Sequence, residues 1–144
     1  MIDARQSPLG HAEIDPSSRK PMIYVIDDDF DVLKSLRFLL ETEGFDVRTF
    51  RSGSALLGSG VRNEADCLVV DYKMAGIDGL ELTQKLRDLD IKTPIVMITA
   101  YPDDSIERKA SLAGVRHVLK KPHLGDSLVA SVRNATNPPR TPAG

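Results

Sequence analysis

Five short segments rich in Val, Ile and Leu, each followed by a stretch of helical character, constrain this chain more than any other feature. They are Met22–Ile26, Asp46–Phe50, Leu68–Val70, Ile95–Ile98 and Val115–Leu119. Three of the five are nearly continuous apolar runs, as expected of strands covered on both faces. After the first, Val32, Leu33, Leu36, Leu39 and Leu40 form a helical stripe that Gly44 stops just past its end. Leu80, Leu82 and Leu86 follow Gly79, while Ile106, Ala110 and Ala113 run into Gly114. A short last helix is predicted from about Leu124 to Asn134. Strands alternating with helices imply a parallel sheet joined by right-handed crossovers. The expected fold class is therefore α/β, a doubly wound (βα)5 domain with a five-stranded parallel sheet. A length of 144 residues suggests one domain. It is expected over 21–134, between a polar, mobile leader at 1–20 and a disordered proline-rich tail at 135–144.

In such a sheet the functional site lies beyond the carboxyl ends of the strands. The first strand delivers Asp27 and Asp28 there, within the run Val25-Ile26-Asp27-Asp28-Asp29-Phe30-Asp31. The third delivers Asp71, the fourth Thr99, and the fifth Lys120-Lys121-Pro122. The second ends in Phe50-Arg51-Ser52-Gly53 and adds little. Carboxylates gathered within a few ångströms do not all stay ionised without a cation. Aspartates are hard oxygen ligands on short side chains, which suits Mg²⁺. A lysine and a threonine opposite the metal match the needs of a transferred phosphoryl group. One carboxylate can then act as nucleophile and become an acyl phosphate. Asp71 is the best candidate, because the glycine-containing loop Tyr72–Gly79 after it lets backbone approach a phosphate closely.

Other residues read more plainly. Asp29 and Asp31 suit the positive end of the first helix dipole. Lys120 reads as a solvated charge, and Tyr24 and Tyr101 as packing residues, with lining the site mouth as the alternative for Tyr101, two past Thr99. His11, His117 and His123 show no metal spacing. A net charge of −2 gives no basic field for nucleic acid. No apolar run approaches the ~20 residues of a membrane span, and the N-terminus has no apolar signal core. The single cysteine, Cys67, cannot form an internal disulfide and reads as a small buried hydrophobe in a reducing, cytoplasmic protein.

The stretches VIDDDFDVLKSLRFLLETEGFDVRTF, CLVVDYKMAGIDGLEL, TPIVMITAYPDD and AGVRHVLKKP together resemble a receiver domain of bacterial two-component response regulators. They are most similar to receivers of the nitrogen-fixation regulator subfamily, over residues 22 to about 133. Separations of 43 residues from Asp28 to Asp71, 28 to Thr99 and 22 more to Lys121 agree with that pattern. The resemblance implies a flavodoxin-like receiver fold and a phosphoryl group received on Asp71 from a sensor histidine kinase or phosphotransfer protein. It implies Mg²⁺ held by Asp27, Asp28, Asp71 and the main-chain carbonyl of Lys73. Thr99 and Lys121 would bind phosphoryl oxygens, and Pro122 would hold a cis peptide. Output would pass through the face of the fourth helix, fifth strand and fifth helix, to a protein target or a second copy of the receiver. Three positions depart from the pattern. Ala75 replaces a usual proline, which predicts a looser loop; Val118 replaces the switch aromatic that partners Thr99; His123 stands where phenylalanine is common.

The expected function is a signalling switch rather than an enzyme, acting as a stand-alone receiver with no direct nucleic-acid or membrane contact. Two alternatives compete with it. One is a receiver-like interaction module that works without phosphorylation. The other is a haloacid-dehalogenase-like phosphatase with Asp27 as nucleophile and Asp29 as acid. That second reading leaves Asp71 unused and provides no late acidic pair and no room for a cap.

Overall fold

A computed structural model of the chain describes residues 19–121 and 125–136. The expectations for Pro122 and His123 lie outside the described residues. In chain order the elements are β1 (Met22–Ile26), α1 (Phe30–Thr42), β2 (Asp46–Phe50), α2 (Gly53–Leu57), β3 (Cys67–Asp71), α3 (Gly79–Asp88), β4 (Ile95–Thr99), α4 (Asp104–Leu112), β5 (His117–Lys120) and α5 (Gly125–Thr136). The strands form one parallel sheet in the order β2-β1-β3-β4-β5. The strand order reverses between β1 and β3, so the crevice expected for a ligand opens beyond their carboxyl ends.

The apolar runs bury both faces of this sheet because alternate residues point to opposite sides. Ile23 and Val25 of β1, with Val69, Val96 and Ile98, pack under Leu33, Leu36 and Leu40 of α1 and Leu128 and Val132 of α5. Tyr24 and Ile26, with Leu68, Val70 and Met97, pack under Leu56 of α2, Leu82 and Leu86 of α3 and Ala110 of α4. Tyr24 is fully buried against Phe50, with ring centroids 5.1 Å apart, and its hydroxyl donates to Val61 O at 2.8 Å. Cys67 is buried in the first layer, and burial pushes its thiol up to about 12. That leaves it inert as a nucleophile.

The structure moves some element ends. The third and fourth strands extend to Asp71 and Thr99, so both residues sit inside the ladder. The fifth strand starts at His117 rather than Val115. Val115 closes α4 instead, its amide donating to Ala110 O while Gly114, at φ +88°, donates to Ser111 O. A residue engaged in that helix-ending motif has no amide left for the sheet. The last helix runs to Thr136, two residues beyond the expected Asn134, because Ala135 is buried in the core. Among the described residues no helix is long and apolar enough to cross a membrane.

Candidate phosphoryl-transfer site

Asp27 follows β1 but remains tied to the sheet, its amide donating to Phe50 O at 3.1 Å. Its side chain is fully buried. Oδ1 accepts from the Asp29 amide at 2.9 Å, a local Asx turn of the kind short carboxylates form. Asp29 caps α1, accepting from the amides of Asp31 and Val32. The acidic run therefore divides: Asp29 and Asp31 start a helix, and Asp27 turns inward. Asp28 is exposed, and its Oδ2 accepts from the Ala75 amide at 3.0 Å.

Asp71 ends the central strand β3 beside Ile98 and is only 4% exposed. The chain leaves it tightly: a Cβ on Gly79 would lie 2.5 Å from Asp71 O, so the start of α3 approaches this carbonyl as only glycine allows. Thr99 ends β4, buried, with its hydroxyl accepting from the Tyr101 amide at 3.3 Å. Lys121 follows β5 with its amide donating to Thr99 O at 2.9 Å. Its Nζ lies 2.9 Å from Asp27 Oδ2 and 3.3 Å from Asp71 Oδ1. Both contacts are ion pairs, and Lys121 is the one partner of the buried Asp27 Oδ2 among the described residues.

The charges here are strongly coupled. Burial pushes the Asp71 carboxyl up to about 6, the Asp27 charge adds to this, and Lys121 opposes it. Burial alone works to lower the Lys121 ammonium, but Asp27 and Asp71 outweigh it and leave it raised. Asp27, Asp28 and Asp71 each offer a carboxylate oxygen within 4.8 Å of the others. Three hard oxygen donors gathered this closely, one of them on the fully buried Asp27, fit a small divalent cation.

The structure thus gathers Asp27, Asp28, Asp71, Thr99 and Lys121 at one rim. Lys73 is exposed in the loop after Asp71, and Val118 is half-buried on β5 against the α3–α4 side of the core. Tyr101 is 83% exposed, which corrects the packing reading and leaves the alternative, a place at the mouth of the site just after β4. The loop after Asp71 is anchored at several points. The Gly79 amide donates to Tyr72 O at 2.7 Å, Met74 is buried, and the Ala75 amide holds Asp28. Sequence reading could not find the Ala75 contact, because its donor is main chain and any residue but proline supplies it. Gly79 carried a faint signal, as a glycine directly before a helical stripe.

The model of the response regulator receiver domain matches residues 23–133 of this chain. The chain belongs to the response regulator receiver family. Among relatives of this receiver is the response regulator protein TodT of Pseudomonas putida, 33% identical over 119 residues that make up 83% of this chain and 52% of that protein. The transcriptional regulatory protein FixJ of Azorhizobium caulinodans is 36% identical over 111 residues, 77% of this chain and 53% of that protein. The structure of the response regulator StyR superposes with a TM-score of 0.75 at 37% identity, covering 82% of this chain and 60% of that one. The chain spans about half the length of the curated relatives it matches. The receiver fold and its place in two-component response regulators are thereby shown, as is the kinship with FixJ.

Proposed function

We propose that this receiver is a phosphorylation-dependent switch in a two-component phosphorelay, with Asp71 as phosphoacceptor. The observation that carries the reading is the convergence of Asp27, Asp28 and Asp71, within 4.8 Å, on a rim shared with Thr99 and Lys121. An Asp71 oxygen attacks phosphorus, the bond from phosphorus to a donor imidazole breaks, and the acyl phosphate forms. The donor is a sensor histidine kinase or phosphotransfer protein. Mg²⁺ held by Asp27, Asp28, Asp71 and the Lys73 carbonyl would neutralise charge on the phosphoryl oxygens. Lys121, already within ion-pair distance of Asp71, supplies a second positive charge, and the Thr99 hydroxyl supplies a donor.

The product is a change of surface, and the protein is a signalling switch that turns over no separate substrate. Its output passes through α4, β5 and α5 to a protein target or a second copy, starting at Thr99 and reaching Val118 without an aromatic ring. The phosphatase alternative gains no support. Asp27 Oδ1 is engaged by Asp29, Oδ2 faces Lys121, and Asp29 is occupied as a helix cap.

The test is incubation with acetyl phosphate and Mg²⁺, followed by intact mass measurement and peptide mapping after borohydride trapping. One phosphoryl group on Asp71, absent in EDTA and in Asp71→Asn, is the expected result. An adduct on Asp27, or none on the wild type, would refute the proposal. An Asp71→Asn allele that signals normally in cells would favour the phosphate-independent module.

A further inference from the structure

The three clustered carboxylates are not held alike. Asp27 is fixed by complete burial, by the Asp29 amide on Oδ1 and by Lys121 beside Oδ2. Asp71 is fixed by burial at the end of a central strand. Asp28 is exposed, and nothing in its own strand or turn holds its side chain. A short carboxylate in water samples several rotamers, and like charges beside it favour those that point away. What keeps Asp28 with the other two is one contact from 47 residues downstream, the 3.0 Å hydrogen bond from the Ala75 amide to Oδ2.

That donor is itself held in place. Upstream, Met74 is buried in the core and Tyr72 donates its amide to Ile98 O at 2.8 Å. Downstream, Gly76 turns the chain at φ +79°, and the Gly79 amide closes the loop on Tyr72 O at 2.7 Å. Asp78 and Glu81 add a reciprocal capping box at the start of α3. The amide thus projects from a loop anchored on both sides, and it carries the partial positive charge that a carboxylate favours.

We infer that the Ala75 amide is a positioning donor for the cation site, holding the exposed Asp28 carboxylate in place through Oδ2 and leaving Oδ1 uncommitted. This rests on the proposed Mg²⁺ reading and extends it to a residue whose side chain has no ligand atom. The physical gain is preorganisation: the ordering of Asp28 is completed when the chain folds rather than when the cation arrives. Groups that orient a metal ligand commonly matter ten- to a hundredfold for affinity. For one exposed ligand of three carboxylates the expected effect is smaller, about threefold to tenfold.

The cleanest test replaces Ala75 by L-lactic acid, converting one amide to an ester so that an oxygen takes the place of the N–H while the side chain is kept. Ala75→Pro removes the same hydrogen by ordinary mutagenesis, and Ala75→Ser keeps it. Mg²⁺ binding is measured by isothermal titration calorimetry, with circular dichroism confirming the fold of each variant. Wild type and Ala75→Ser should bind alike, and the ester and Ala75→Pro should bind about three- to tenfold more weakly. In the metal-free protein, Asp28→Ala should shift the Ala75 amide proton upfield in a ¹H–¹⁵N spectrum. Equal affinity in the folded ester variant, or an Ala75 resonance that ignores Asp28→Ala, overturns the inference. Absence of Mg²⁺ binding in the wild type would instead overturn the reading beneath it.

Discussion

Asp71 stands where its own charge works against the fold. Burial and the neighbouring Asp27 carboxylate raise it to about 6 from an ordinary 3.8, despite Lys121. A carboxyl raised on folding binds its proton more tightly in the folded state, so its contribution to stability is complete below pH ~4. That contribution is lost as pH rises through about 6. Asparagine has no such charge. In EDTA, the stability of Asp71→Asn relative to wild type should therefore grow between pH ~4 and ~7, reaching about 1–3 kcal/mol. Urea unfolding at a series of pH values reads this directly, and a gap that stays constant across that range would refute it. Asp71 was legible in the sequence, as the lone acid after a continuous apolar strand. Its electrostatic penalty was not, because it depends on Asp27 and Lys121, residues 44 and 50 positions away along the chain.

At the scale of elements, three helices end in one way, although only two announced it. Gly44 and Gly114 take the left-handed conformation after α1 and α4, as their glycines suggest. After α3 the same place is held by Asp90 at φ +63°, with Asp90 N donating to Arg87 O and Ile91 N to Leu86 O. A residue that only tolerates this conformation leaves a weak mark in sequence. Arg87, in the last turn of α3, then joins three elements. Its guanidinium donates to Ile91 O and Thr93 O at 2.9 Å, and to Ala113 O and Gly114 O at 3.2 Å. It thus ties the end of α3 to the approach to β4 and to the closing turn of α4. A planar fork of donors satisfies four carbonyls at once, which an ammonium cannot match. Arg87→Ala should cost about 2–3 kcal/mol, and Arg87→Lys should recover only part of that. Thermal unfolding followed by circular dichroism measures both; a lysine variant as stable as wild type would contradict the clamp. Nothing in the spacing of α3 distinguishes Arg87 from Lys85, because the carbonyls it meets come from other elements.

For the whole molecule, strand order matters most. With β1 and β3 adjacent at the centre, Ile26 pairs with Val70, and the acids that follow are forced together where the crossovers diverge. Three carboxylates converge there with one ammonium, so folding without a divalent cation leaves charge uncompensated. At tenfold excess over its dissociation constant, Mg²⁺ should stabilise the protein by about 1.4 kcal/mol, raising Tm by roughly 4–8 °C. The shift should vanish in EDTA, and melting curves that coincide with and without Mg²⁺ would count against the cation site. Sequence by itself determined the alternation of strands and helices, since apolar period and glycine stops are local properties. It also determined which residues reach the functional rim, because a parallel sheet puts every strand's end on one side. Only the tertiary structure decided how those residues are held: Asp28 by a main-chain amide from another loop, Asp27 by burial against Lys121, and α4 by an arginine from α3. Contacts of this kind join distant parts of the chain through backbone atoms that every residue carries, so they leave no pattern in the order of side chains.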